Sequence, residues 1–372
     1  MAKILINALN LSIGGGKNIL DNYIRELSNA DLTDTYYVLT PNFKMYSSYS
    51  KDKLNVIDIE SIFKANVFFI GLYFFKFPIL LKKYKIDLVF NFGDIVIPTS
   101  IPQIYFFDWP YAVYSEEYVW RKMSLKDYVI RKTKIFLINK YADKAVLTIA
   151  QTKNIATRLI KKFKNQNVTI IPTPVGIDLS CNKEFYGLDL DKNKKYFFYP
   201  ASYSTHKNFD VVLDLLKLIK KEKMPFVLIL TLDFDVASEF LEKIKSANLN
   251  NVINLGKVDL KLMPSLYKQV DALFFPSLLE TYGLPYIEAM AFEKPILASN
   301  LDFAHAICDD MAFYFDPFDA ESILNVMMHY DDDKEDLETR ISKGKLKVNT
   351  IPNWEEVFTR FNKEIEIVLN KK

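Results

Sequence analysis

Two glutamates, Glu280 and Glu288, stand eight positions apart in Pro276-Ser277-Leu278-Leu279-Glu280-Thr281-Tyr282-Gly283-Leu284-Pro285-Tyr286-Ile287-Glu288-Ala289-Met290-Ala291. The short apolar run 272–275, with Asp271 before it, reads as a buried strand, and 284–292 reads as a helix with Pro285 near its first turn. The first carboxylate then lies in a strand-to-helix loop. The second lies about one turn inside the helix, on the side where backbone N–H groups and the macrodipole favour an anion. Gly283 between them lets a ligand approach the backbone closely. A diphosphate could rest on those amides while the two carboxylates accept hydrogen bonds from sugar hydroxyls, which is the layout a nucleotide-sugar site needs. The plainer alternative is a helix cap plus a solvent-facing glutamate.

The elements that would position these groups repeat along the chain. Strands are expected over 4–8, 36–40, 54–57, 88–91, 103–107, 145–149 and 168–171, with helical periodicity over 18–27, 62–83, 125–141 and 152–163. The pattern breaks at Pro172-Thr173-Pro174, and a polar stretch runs to Lys195. It restarts with strands 196–199, 226–231, 252–255, 272–275, 296–298 and 313–315 and helices 208–221, 237–247, 263–269, 284–291 and 320–330. Such alternation predicts α/β architecture with two Rossmann-like domains, parallel sheets and ligands at the carboxyl ends of the strands. The expected domains are 1–174, and 175–353, with a last helix over 354–372.

Composition agrees with two cores. At 372 residues the chain exceeds the roughly 250 to 300 at which single cores stop growing. Half of it is hydrophobic and 29 residues are Phe, which excludes general disorder. A net charge of +2, spread along the chain, gives no nucleic-acid footprint. Cys181 and Cys308 lack any CxxC spacing, and His206, His305 and His329 share no ligand spacing, so neither a disulfide framework nor a metal site is expected. The N-terminus enters Lys3-Ile4-Leu5-Ile6 without the pattern of a signal peptide, so a cytoplasmic location is expected.

The Glu280–Ala291 string, following a Phe-Phe-Pro-Ser strand end, resembles the carboxylate signature of retaining, two-Rossmann-domain (GT-B) glycosyltransferases of family 4, the "group 1" glycosyltransferases. Glu280, Gly283, Leu284 and Glu288 match position by position. The resemblance implies that Glu280 contacts the transferred sugar, that the segment Thr281, Tyr282, Gly283 and Leu284 contacts sugar and phosphate, and that Glu288 binds the nucleotide ribose. It also implies that the terminal helix crosses back onto the first domain.

Three more places join this expectation. Pro200-Ala201-Ser202-Tyr203-Ser204-Thr205-His206-Lys207-Asn208 follows a strand and opens a helix, so the Lys207 ammonium could neutralise charge on a departing diphosphate. The family commonly has Arg where this chain has Ser202, and a subgroup with His-Lys-Asn lacks it. The bland reading of Lys207 is an exposed surface lysine. Gly14-Gly15-Gly16-Lys17-Asn18 also follows a strand; it is no Walker A loop, since position 11 is Leu and Asn18 replaces Ser or Thr. In the family this turn lies beside the donor diphosphate, which makes Gly15 and Gly16 donor-binding candidates against a plain tight turn. Phe106-Phe107-Asp108-Trp109 ends a strand where many members carry His-Asp; with Phe107 in the histidine's place, Asp108 alone is left to orient donor or acceptor hydroxyls, or to be a structural turn residue.

Asp233-Phe234-Asp235 has the form of a metal motif, but it comes late, in the second half, so no metal and no cofactor is expected beyond the nucleotide-sugar donor. The stretch 67–81 is the most apolar and aromatic of the chain, yet Lys76 and Pro78 break it short of the roughly 20 residues of a spanning helix. It reads as a core helix or as a peripheral contact in which Lys64, Lys76, Lys82, Lys83 and Lys85 meet an anionic leaflet. The combined expectation is a glycosyltransferase acting on a glycan or lipid-linked glycan in bacterial surface polysaccharide (O-antigen or capsule) assembly. A nucleotide-sugar hydrolase or epimerase, or a non-catalytic binding module, are the alternatives.

Overall fold

The structure, a computed structural model, describes all residues except 12–13, 59–70, 94, 122, 164–166, 182, 184–187, 189 and 372, together with the side chains of 72 and 117. The chain forms two compact units, Met1–Ser115 with Ser124–Pro174 and Pro352–Lys372, and Val175–Ile351 with Glu116–Met123.

The first unit holds strands β1 (Lys3–Asn7), β2 (Thr35–Thr40), β3 (Leu54–Asp58), β4 (Leu88–Asn91), β5 (Gln103–Phe106), β6 (Ala145–Ala150) and β7 (Val168–Ile170) in a parallel sheet of order β3-β2-β1-β4-β5-β6-β7. Near-continuous apolar strands such as Ile4–Ile6 and Leu88–Phe90, wholly buried, are what a sheet covered on both faces requires. Its helices include α1 (Gly14–Asn29), α2 (Phe77–Tyr84), α3 (Leu125–Tyr141) and α4 (Lys153–Lys162). Ser124 and Thr152 start α3 and α4 by accepting hydrogen bonds from Asp127 N and Ile155 N.

The second unit holds β8 (Lys195–Tyr199), β9 (Phe226–Leu230), β10 (Val252–Asn254), β11 (Ala272–Phe275), β12 (Ile296–Ser299) and β13 (Phe313–Phe315), parallel in the order β10-β9-β8-β11-β12-β13. Around it lie α5 (Phe209–Lys221), α6 (Ser238–Ser246), α7 (Met263–Gln269), α8 (Leu284–Ala291), α9 (Asp302–Cys308), α10 (Ala320–His329) and α11 (Lys334–Thr350). The order reverses direction between β8 and β11, the kind of switch point where open α/β sheets bind ligands.

The last helix, α12 (Trp354–Asn370), begins with a capping box of Asn353 and Glu356 and packs into the first unit. Phe361 meets Tyr23, Phe90 and Phe106 edge-on, with ring centroids 5.5, 5.3 and 5.9 Å apart, and the Tyr23 hydroxyl donates to Asn362.

Three sequence expectations differ from what is observed. The segment Glu116–Met123 belongs to the second unit, where the Tyr118 ring meets Phe318 edge-on at 5.0 Å. Composition cannot show a chain leaving one core for another over eight residues. The helix expected over 62–83 falls partly outside the described residues; its described part is a wide π turn over Leu72–Lys76 running into α2. Within it Tyr73, Phe77, Leu80 and Leu81 are buried, whereas Phe75 and Ile79 are exposed. The third is α9, a seven-residue helix where no helix was expected.

Candidate active site

Pairing of β8 with β11 brings the loops after them side by side, although 73 positions separate Lys207 from Glu280. The Lys207 ammonium donates to Glu280 Oε1 in an ion pair whose two side chains are 13% and 14% exposed. It also lies over the Phe275 ring, 4.6 Å from the centroid. Ser277 Oγ donates to the same Glu280 oxygen at 2.5 Å.

The backbone beneath is stitched as firmly. Leu278 N donates to His206 O at 2.7 Å, and the Tyr199 hydroxyl donates to Lys207 O at 2.6 Å. Asn208 takes the left-handed conformation (φ 57°) that opens α5, and its amide donates to Pro276 O and Pro317 O at 3.3 and 2.7 Å. One side chain therefore ties together the ends of β8, β11 and β13. Asparagine suits the place because it tolerates positive φ and carries the two donor hydrogens.

Gly283 precedes α8 with φ +84°, and a Cβ there would stand 2.7 Å from the Tyr286 ring. Glycine is thus required twice over, by conformation and by space. Thr281, Tyr282 and Leu284 around it are buried. Glu288, on the first full turn of α8, is 6% exposed, and the Tyr267 hydroxyl of α7 donates to its Oε2 at 2.8 Å. Burial pushes the Glu288 carboxyl up to about 7, against the opposing pull of that hydrogen bond. The Tyr267 ring is stacked on Phe292 with 3° between planes and meets Phe198 edge-on.

In the first unit, Gly16 and Asp108 are brought together at the carboxyl ends of β1 and β5. A Cβ on Gly16 would collide with the Asp108 carboxylate and stand 2.9 Å from Leu11 Cδ2. Asp108 is half-buried, Gly15 exposed and Phe107 wholly buried, with Phe107 N bonded to Ile149 O. Phe107 therefore serves the core. Ser202 is exposed in the loop after β8.

Asp233 pairs with Lys257 and accepts from Asp235 N, so it caps a turn. His206 contacts Ser204, His305 contacts Asn300, and His329 contacts Asp332, each locally. Among the described residues no group of three or more His, Cys, Asp or Glu is placed to hold a metal ion.

Sequence reasoning missed Tyr267, Ser277 and Asn208 as supports. Asn208 was signalled by the His-Lys-Asn run before a helix. Tyr286, whose buried hydroxyl has no hydrogen-bond partner among the described residues and whose ring lies against Phe275 and Gly283, had no separate signal.

Residues 182–347 match the family model "Glycosyl transferases group 1". The chain is 25% identical over 179 residues to an uncharacterized 41.2 kDa protein in the cps region of Klebsiella pneumoniae, covering 46% of this chain and 47% of that protein. It is 25% identical over 184 residues to the O-antigen chain mannosyltransferase RfbU of Salmonella typhimurium, covering 48% of each. The chain spans about half the length of the curated relatives it matches. Among solved structures, sucrose-phosphate synthase from Thermosynechococcus elongatus superposes with a TM-score of 0.77 at 15% identity, covering 100% of both chains. Anabaena Alr3699/HepE in complex with UDP-glucose gives 0.72 at 15% identity, covering 98% of this chain and 100% of that one. WaaG, a glycosyltransferase involved in lipopolysaccharide biosynthesis, gives 0.70 at 12% identity, covering 96% and 98%. The chain thus has the GT-B-like α/β fold of these structures, and its second unit carries the stretch that matches the group 1 glycosyltransferases.

Proposed function

We propose that the chain is a retaining, metal-independent glycosyltransferase that moves a sugar from a nucleotide diphosphate sugar to a hydroxyl of a glycan or lipid-linked glycan in bacterial surface polysaccharide assembly. The observation that carries this reading is the joining of Lys207 and Glu280 at the switch point of the second sheet, next to the Gly283 turn that opens α8. The O-antigen relative and the UDP-glucose complex of a structural neighbour support the substrate class.

In this reading the diphosphate lies on the amides of Gly283 and Leu284, and Glu288 accepts from the ribose hydroxyls. Lys207 exchanges its bond to Glu280 for the leaving phosphate, where negative charge grows as the glycosidic bond breaks. Glu280, released from the ammonium, accepts from hydroxyls of the transferred sugar. Retention follows if the acceptor hydroxyl attacks from the leaving-group face and gives its proton to the departing diphosphate. Asp108 in the first unit orients donor or acceptor hydroxyls.

A thermal-shift screen of UDP-, GDP- and dTDP-sugars in EDTA tests the reading. One donor at 100 times its Kd should add about 2.7 kcal/mol of stability. That donor should then be turned over with an acceptor and without a divalent ion. Stabilisation that appears only with manganese or magnesium would remove metal independence, and turnover of donor without acceptor would replace transfer by hydrolysis.

A further inference from the structure

Three buried aromatic rings, from β8, β11 and α8, lie against Lys207 and the Gly283 turn. Phe275 is the last residue of β11, paired in register with Ala298 of β12, and is wholly buried. The Lys207 ammonium lies over its ring, 4.6 Å from the centroid. The Tyr286 ring meets it at 4.9 Å and 73°, and the Tyr199 ring at 5.6 Å and 88°. Tyr199 also donates its hydroxyl to Lys207 O at 2.6 Å. Lys207 is therefore held at both ends, by a hydroxyl at its backbone and by a ring at its ammonium.

Tyr286 supports the turn in a similar way. Its ring fills the place of the missing Gly283 side chain, since a Cβ there would stand 2.7 and 2.9 Å from Tyr286 Cδ2 and Cε2. Tyr286 N donates to Gly283 O at 3.0 Å, so the turn rests on this residue through both backbone and ring. The Tyr286 hydroxyl is buried with no hydrogen-bond partner among the described residues, so what the side chain gives the turn is its ring.

Rings suit this task. A buried aromatic side chain has only two dihedral angles, both fixed by close packing, so touching rings transmit position with little play. The attraction of an ammonium to a ring face holds anywhere within roughly 6 Å of the centroid, whereas a hydrogen bond weakens steeply with angle. An ammonium that leaves Glu280 for a phosphate oxygen can thus cross the Phe275 face without losing that partner.

We infer that Phe275 and Tyr286 are positioning residues for a diphosphate. Phe275 places the Lys207 ammonium, Tyr286 places the Gly283 turn, and the contact between the two rings fixes the spacing of ammonium and amides. This role rests on the proposed nucleotide diphosphate site and names what adapts it to two phosphates rather than one.

Calorimetric titration with UDP and UMP tests it, or with GDP and GMP or dTDP and dTMP where the donor screen selects those bases. The ratio of the two affinities reads the outer phosphate, which a general loss of stability does not move. Lys207→Met should lower the ratio about tenfold, and Phe275→Leu about three- to tenfold. Phe275→Leu added to Lys207→Met should lower it by less than about twofold more, since the ring acts through the ammonium. Tyr286→Leu should lower it about as much as Phe275→Leu, and Tyr286→Phe, which keeps the ring, should restore it. Phe275→Met keeps more volume and serves where Phe275→Leu does not fold. Phe197→Leu controls for destabilisation: it removes an equally buried ring of β8, packed on Phe226 and Tyr330, and should lower the melting temperature with the ratio unchanged. A wild-type ratio in Phe275→Leu or in Tyr286→Leu overturns the proposal, as does a double variant whose loss is the product of the single losses. An unchanged ratio in Lys207→Met, or no binding of any of the three nucleotide diphosphates, removes the catalytic reading as well.

Discussion

The two units place a carboxylate at the end of a parallel strand by different means. In the second, Glu280 is fixed by donors from other side chains, Lys207 and Ser277, on loops that Asn208 and Tyr199 tie together. In the first, Asp108 occupies space that exists because Gly16 has no side chain. A site held by polar partners is sensitive to loss of a donor. The Asp108 position also depends on missing volume at Gly16, so it is sensitive to one added methyl group there.

The largest effect is expected from Lys207→Met, which keeps most of the stem and removes the cation. Turnover should fall about 100- to 1,000-fold, the range for loss of one charge-stabilising donor in an active site. Near-wild-type turnover in a steady-state assay would show that the Lys207–Glu280 pair is structural, and the contrast between units would lose its catalytic meaning.

Next comes Glu288→Gln, read by stability. The folded-state carboxyl titrates at about 7 and the ordinary one at 4.5, so folding takes up a proton between those values. Stability from this group is therefore complete below about pH 4.5 and is lost as pH rises through about 7. The cost above pH 7 is about 3 kcal/mol, and the Gln variant should avoid it while still accepting from Tyr267. Denaturant unfolding should show the variant more stable than wild type above pH 7 and equal below pH 4.5. Tyr267→Phe removes the hydrogen bond that lowers this carboxyl, so the wild-type decline should move to higher pH. A flat difference across pH would mean that Glu288 is solvated in solution.

The smallest effect is expected from Gly16→Ala. The new Cβ displaces Asp108, and turnover should fall about tenfold through misplacement alone. Calorimetric affinity for the nucleotide diphosphate should stay unchanged if Gly283, Leu284 and Glu288 of the second unit hold it as proposed, and should fall if the Gly15-Gly16 turn contacts it. A fall in that affinity would break the division between units.

Much of this was legible in the sequence. All thirteen strands among the described residues were readable because buried parallel strands are short apolar runs between helical periods, with ends shifted by a residue or two. Glu280, Gly283 and Glu288 announced themselves by local spacing within one loop and one helix. What stayed hidden depends on pairing over distance. Lys207 meets Glu280 only because β8 lies beside β11, and Tyr267 reaches Glu288 from a separate helix 21 positions away.

The central claim is that the two glutamates do different work, and titration of the nucleotide diphosphate by calorimetry tests it most directly. At about pH 8, where Glu288 is ionised, Glu288→Ala should weaken binding roughly ten- to a hundredfold, the loss of a charge-assisted hydrogen bond. Glu280→Ala should leave affinity unchanged or raise it, because it frees the Lys207 ammonium, while kcat/KM with the full donor falls. Equal loss of nucleotide diphosphate affinity in both variants would contradict the account.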